Sequence, residues 1–109
     1  MSDTLDDVRR RKRKAMDLRD LGDVKGAFAE LDEAATVLRV ALEVSSHTDS
    51  GAVKEVEKEY ATTLAQILGS VGGLHRRQQA YTASLASYVE AYAIEKDARY
   101  GIVDSYALV

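Results

Sequence analysis

The sequence contains no cysteine, no proline and no tryptophan. The lack of cysteine excludes a disulfide framework, thiolate metal sites and a cysteine nucleophile, and it is consistent with a reducing compartment. The lack of proline, beside abundant alanine, leucine, glutamate, lysine and arginine, favours a chain built from helices. Because 109 residues form one modest hydrophobic core, we expect a single all-α domain.

Long apolar runs are also missing. No segment approaches the roughly 20 apolar residues that span a bilayer. The N-terminal stretch SDTLDDVRRRKRK is polar, unlike a signal peptide. A formal net charge of −3 argues against a protein that covers nucleic acid with its whole surface. We therefore expect a cytoplasmic protein without membrane contact, and nucleic acid is not the expected partner.

Apolar residues recur at three- and four-residue spacing, which is typical of amphipathic helices. Four helices are predicted, and they form two hairpins at residues 4–44 and 52–99. The loop SSHTDSG at 45–51 separates the hairpins, and a terminal helical turn is predicted at 102–109. The fourth helix is predicted over 81–99, and the large apolar residues Tyr81, Leu85 and Tyr88 are expected on its buried side.

The stretch LGSVGGLHRR at 68–77 places three glycines inside the third predicted helix. Each glycine costs a helix roughly 0.5–1 kcal/mol relative to alanine. Leu74 continues the apolar stripe beyond them, which favours a continuous helix over a break at Gly72 and Gly73. Gly72 then allows a neighbouring helix to come close to the backbone of the third helix. Gly69 and Gly73 either widen this glycine surface or face a groove.

An internal repeat appears when the sequence is aligned with itself so that Gly22 is paired with Gln79. The alignment pairs GDVKGAFAELDEA (22–34) with QAYTASLASYVEA (79–91). In both copies a small residue is followed by a large one four residues later and by a small one three residues after that. This small–large–small order is the packing face of a helical hairpin.

The repeat resembles the tetratricopeptide repeat (TPR), whose second helix carries the same small–large–small pattern. The resemblance implies two antiparallel hairpins packed as a short right-handed solenoid with a partial fifth helix. The spacing of the two copies, from position 22 to position 79, exceeds the family's usual repeat of about 34 residues. Arg11 and Lys14 also replace apolar residues in the first copy. The segment LGSVGGLHRR resembles TPR-type regions of large bacterial multidomain proteins.

The resemblance also implies a binding surface, because the first helices of successive TPR hairpins line the concave face. Family members often hold acidic side chains or a terminal carboxylate there, although the family's usual asparagines are absent from this chain. The corresponding positions predict a basic groove for an acidic peptide, formed by the first and third helices. They are Arg9, Lys12, Arg13, Met16, Arg19, Gln66, Gly69, Gly73, Arg76 and Arg77.

The basic run RRRKRK at 9–14 has three interpretations. It is a solvated helix face, one wall of the peptide groove, or a contact surface for phosphates of nucleic acid or another anionic surface. We expect a non-catalytic protein–protein interaction module or scaffold. The alternatives are a nucleic-acid or anionic-surface accessory domain and a structural dimerisation unit. A homodimer through the C-terminal end would use Ile102, Tyr106 and Val109.

No pattern in the sequence indicates an enzyme, a metal or a cofactor. His47 and His75 do not have the spacing of a metal site, and His75 is expected to pack inside the hairpin. The GSVGG stretch lacks the lysine of a phosphate-binding loop. The carboxylates fall on exposed helix faces, as in EVEKE at 55–59, so a desolvated catalytic pair is not expected.

Overall fold

A computed structural model describes residues 3–45, 51–97 and 100 of the chain. These residues form four α-helices and no β-strand, so the all-α prediction is confirmed for the described part of the chain. The helices are α1 (Asp3–Asp20), α2 (Val24–Ser45), α3 (Gly51–Arg77) and α4 (Tyr81–Lys96). Helix α3 runs through its glycines without a break.

The prediction that the fourth helix extends to residue 99 is wrong. Helix α4 ends at Lys96, because Asp97 leaves the helical conformation with a ψ of 116°. The backbone N–H of Asp97 then donates to the carbonyl of Ile94. The predicted helical turn at 102–109 lies outside the described residues.

Each helix packs against the next one along the chain, in the order α1, α2, α3 and α4. Short turns at 21–23 and 78–80 join α1 to α2 and α3 to α4, as in antiparallel helical hairpins. Helix α2 contacts both α1 and α3 and therefore joins the two hairpins. Its apolar stripe lies at the centre of the core and comprises Ala27, Leu31, Ala34, Ala35 and Leu38.

The two hairpin turns close with the same backbone hydrogen bonds at equivalent positions of the internal repeat. At the end of α1, Asp23 N–H donates to Leu18 O at 2.8 Å and Gly22 N–H donates to Arg19 O at 3.0 Å. At the end of α3, Ala80 N–H donates to His75 O at 2.8 Å and Gln79 N–H donates to Arg76 O at 3.0 Å. Both ends are Schellman motifs, which place one residue in the left-handed region.

The left-handed residue is Gly22 in the first turn, with a φ of 88°, and Gln79 in the second, with a φ of 61°. A residue with a Cβ atom is disfavoured in this region by about 1–2 kcal/mol. We expect Gln79→Gly to raise the free energy of unfolding by about 0.5–1 kcal/mol, after subtraction of the greater freedom of glycine in the unfolded chain. Urea unfolding followed by circular dichroism measures this change.

Gly22→Ala is the matched control for this prediction, because it introduces a Cβ atom at the equivalent position. It is expected to lower the free energy of unfolding by about 1–2 kcal/mol. No Cβ atom at residue 22 would touch a neighbour within 4 Å, so the loss would come from backbone conformation alone. A Gln79→Gly variant that is no more stable than the wild type would contradict the expectation.

Gly72 is the glycine at which another part of the chain comes close. A Cβ atom at residue 72 would lie 3.0 Å from the ring of Tyr88 on α4, and the Ser84 hydroxyl donates to the Gly72 carbonyl at 2.8 Å. A Cβ atom at Gly69 would meet nothing within 4 Å, and one at Gly73 would make an ordinary contact of 3.7 Å with the Tyr88 hydroxyl. The close approach is therefore made by an aromatic ring and not by a neighbouring backbone.

Two predicted core residues of α4 lie on the surface. Tyr81 and Leu85 are both 64% exposed, because α4 turns Ser84 and Ala91 toward α3 instead. Tyr88 is half-buried against Gly72. The periodicity of α4 is ambiguous because apolar residues occur on both of its sides.

Candidate interaction groove

An open groove of about 630 Å³ lies between α1 and α3. One wall is the middle of α1, and the other is the part of α3 that precedes Gly69. The lining residues are Arg9, Lys12, Arg13 and Met16 from α1, and Glu55, Lys58, Glu59, Thr62, Thr63 and Gln66 from α3. The structure therefore brings together five of the ten predicted groove residues.

The basic run of α1 is divided between two sides of the helix. On the side toward α2, Asp7 pairs with Arg10 at 2.5 Å and with Arg11 at 3.1 Å. Glu30 of α2 pairs with Arg11 at 3.4 Å and with Lys14 at 3.5 Å. The hydrogen bond from Arg11 lowers the pKa of Asp7 below its usual value.

The other three basic residues of the run face the groove. Arg9, Lys12 and Arg13 occur at i, i+3 and i+4, which places them on one side of α1. Within residues 4–45 and 55–97, no carboxylate lies within ion-pair distance of these three side chains. In the described part of the chain, the groove thus contains three cations that form no direct ion pair.

The α3 wall carries charges of both signs, so the groove is less strongly basic than the predicted residues alone indicate. Glu55 and Glu59 lie beside Lys58 on this wall, so the groove holds four basic side chains and two carboxylates. Sequence reasoning missed these residues because the repeat alignment extended the site from Gln66 toward the C-terminus of α3. The signal that would have found them is helical spacing in the opposite direction, toward the N-terminus from Gln66.

The remaining predicted residues lie toward the hairpin turns and do not line this groove. Arg19 pairs with the neighbouring Asp20 at 3.1 Å. Arg76 and Arg77 are exposed at the end of α3. Gly69 borders open space and Gly73 contacts Tyr88. The predicted interface residues Ile102, Tyr106 and Val109 lie outside the described residues.

His75 is half-buried between α3 and α2 and does not line the groove. Its ring lies 4.6 Å from that of Phe28, with an angle of 36° between the ring planes, and it links α3 to α2. No group of three histidine or acidic side chains within the described residues could hold a metal ion. None of the four described helices combines the length and the apolar character that crossing a bilayer requires.

No protein-family model, no curated protein and no solved structure matches this chain. What bears on function is therefore the geometry and the charge of the groove. The groove presents cationic side chains together with the hydroxyl group of Thr62 and the amide group of Gln66, which can form hydrogen bonds.

Proposed function

We propose that this chain is a non-catalytic interaction module of the tetratricopeptide-repeat type that binds an acidic peptide segment between α1 and α3. The observation that carries the proposal is the set of Arg9, Lys12 and Arg13, which line the groove without an ion-pair partner in the described residues. Acidic side chains of a ligand supply the missing counter-charges through charge-assisted hydrogen bonds.

The size and composition of the groove support a peptide as the ligand. Its volume of about 630 Å³ lies within the range of about 300–1,000 Å³ that is typical of ligand sites. Met16 offers apolar contact beside the charged groups, and the Gln66 amide can both donate to and accept from a peptide backbone. Glu55 and Glu59 on the α3 wall favour a ligand that turns its acidic residues toward α1.

The recurring hairpin supports the family part of the proposal. The two Schellman motifs occupy equivalent positions of the internal repeat. The same alignment matches the Ala15 and Leu31 positions of the first hairpin with Gly72 and Tyr88 of the second. In a repeat of this kind the first helices of successive hairpins line one face, and α1 and α3, with the groove between them, are the first helices of the two hairpins here.

The test is the affinity for a fluorescein-labelled peptide of alternating glutamate and alanine, measured by fluorescence anisotropy. The wild-type chain is expected to bind this peptide, and Arg13→Glu is expected to weaken binding by about tenfold or more, since a repulsive charge replaces an attractive one. Circular dichroism verifies that the helix content of the variant is unchanged.

Arg10→Glu is the matched control for the charge change. Arg10 belongs to the same basic run, but its side chain is 73% exposed and pairs with Asp7 away from the groove. The Arg10→Glu variant is expected to bind the peptide with an affinity within about twofold of the wild-type value, because an exposed ion pair outside the groove contributes little free energy. An equal loss of peptide affinity in the Arg13→Glu and Arg10→Glu variants would contradict binding in the groove. Binding would also be non-specific if a short DNA duplex bound as tightly as the peptide and lost affinity equally in both variants, which would likewise contradict the proposal.

A further inference from the structure

The outer side of α4 carries an apolar ridge with no covering element in the described structure. Tyr81 and Leu85 are 64% exposed and Val89 is 57% exposed. They are spaced by four residues, so they form one line along the helix. Of all α4 residues, only Ala91 belongs to the buried apolar core. Tyr81, Leu85 and Val89 therefore lie on the side of the helix that faces away from this core.

The ridge lies in a part of the chain that has no charged residue. From Gln78 to Val89 the sequence reads QQAYTASLASYV. Helix α1 is the opposite case, because between residues 4 and 20 its exposed side chains are all charged: Asp6, Arg9, Arg10, Arg13, Lys14, Asp17 and Asp20. A helix that is apolar on both sides is normally buried on both sides, which points to a partner for the outer face of α4.

The packing of α3 on α2 shows which positions of α4 would be covered if another helix of the same chain followed α4 in the same way. Leu85 aligns with Phe28, which is covered by His75 of α3 at a ring distance of 4.6 Å. Val89 aligns with Asp32, which stays exposed and charged on α2. A helix placed on α4 as α3 is placed on α2 would leave Val89 in solvent. The ridge fits an occupant that is centred on Leu85.

We infer that this ridge is a homodimer interface, in which α4 packs antiparallel against α4 of a second copy of the chain. The ridge is symmetric in position, with Tyr81 four residues before Leu85 and Val89 four residues after it. A two-fold axis at Leu85 therefore brings Leu85 against its own copy and Tyr81 against Val89 of the partner subunit. The same surface serves both subunits, as an isologous interface requires.

The charges that bound the ridge agree with the antiparallel arrangement. Arg77 is exposed just before α4, and Glu90 is exposed directly after Val89. An antiparallel pair brings the α3–α4 turn of one subunit, beside which Arg77 is exposed, toward the C-terminal half of the other α4, which carries Glu90 of the partner subunit. Glu90 also pairs with Arg39 of its own chain at 2.6 Å, and its side chain remains 46% exposed. A parallel pair would instead set like charges together.

Sedimentation equilibrium of the full chain over a wide concentration range tests the dimer. The wild type is expected to show a reversible monomer–dimer equilibrium, and Leu85→Glu is expected to weaken it by about tenfold or more, because two carboxylates then meet at the axis. Leu21→Glu is the matched control, since Leu21 is 82% exposed but lies in the turn between α1 and α2. It is expected to leave the dimerisation constant unchanged.

Cysteine cross-linking tests the position of the axis, and it is clean because the chain has no cysteine of its own. Leu85→Cys is expected to form a covalent dimer with a short bismaleimide reagent, whereas Leu21→Cys is expected to remain monomeric under the same conditions. The two variants differ only in the place of one thiol. Cross-linking of both to the same extent would indicate random collision and overturn the proposed axis.

Other occupants of the ridge give different results. A monomeric wild type that dimerises after Ile102→Ser and Tyr106→Ser would show that the chain's own C-terminal residues cover the ridge, which overturns the proposal. A monomer in every variant overturns it as well. A dimer that Leu85→Glu leaves intact places the interface on another surface, with the same consequence. Peptide affinity is measured separately, so failure of the dimer and failure of the proposed groove are distinguishable.

Discussion

Replacing Gly72 with alanine is expected to lower the free energy of unfolding by about 1–2 kcal/mol, because the cost of overpacking exceeds the gain in helix propensity. The new Cβ atom would lie 3.0 Å from the Tyr88 ring, which must then move. Overpacking of this kind costs about 1–3 kcal/mol, and the better helix propensity of alanine offsets up to about 1 kcal/mol. For a domain of this size the melting temperature is expected to fall by several degrees, roughly 4–8 °C per kcal/mol.

The first hairpin supplies the rescue experiment. At the positions aligned with Gly72 and Tyr88 it holds Ala15 and Leu31, both fully buried. The double variant Gly72→Ala/Tyr88→Leu recreates this pair in the second hairpin. We expect the cost of alanine to vanish or change sign in the Tyr88→Leu background, which a double-mutant cycle measures directly.

Gly69→Ala is the control for helix propensity in the same helix. A Cβ atom there meets nothing within 4 Å, so the substitution is expected to stabilise the chain by roughly 0.5–1 kcal/mol. If Gly72→Ala stabilised the chain as much as Gly69→Ala, close packing by Tyr88 would not be the reason for glycine at residue 72.

The second large effect is expected at Leu38, at the centre of the core on α2. Its side chain is fully buried, and α2 is the helix that contacts both α1 and α3. Leu38→Ala is expected to lower the free energy of unfolding by about 2–5 kcal/mol, the usual cost of truncating a buried leucine. Since single domains are stable by only about 5–15 kcal/mol, this loss is a large fraction of the total.

Urea denaturation followed by circular dichroism measures the loss at Leu38. Val40→Ala is the matched control, because Val40 lies close by on the same helix but is 56% exposed. It is expected to change stability by less than about 0.5 kcal/mol. Comparable losses in both variants would mean that the centre of the core does not lie on the Leu38 side of α2.

The sequence was sufficient to predict the helices and the first hairpin turn. Apolar residues at three- and four-residue spacing define α1 to α3, and Gly22 followed by Asp23 is a strong signal for a helix end and a new N-cap. Asp23 indeed accepts a hydrogen bond from the Gly26 N–H at 2.9 Å. The second turn was predicted only through the internal repeat, since Gln79 by itself gives no sign that it adopts a left-handed conformation.

The groove was predictable on one wall only. The resemblance to the repeat named Arg9, Lys12 and Arg13 together, and they share one wall because their relative positions depend on a single helix. The α3 wall depends on how far α3 is shifted along α1, and this shift is a property of packing between helices. The predicted glycines and arginines of α3 consequently lie toward the hairpin turn, while Glu55 and Glu59 lie in the groove. That an acidic peptide binds there stays a prediction.

The sequence by itself determined the local features of this protein: the helical class, the continuity of α3 through Gly72, and the face on which each cation of α1 lies. These follow from the periodicity of one helix and from the conformational preferences of single residues. Only the tertiary structure decided which face of α4 is buried, which partner approaches Gly72, and which carboxylates neutralise Arg11 and Lys14. Each of these depends on contacts between helices that are distant in sequence, and a local pattern does not encode their relative position.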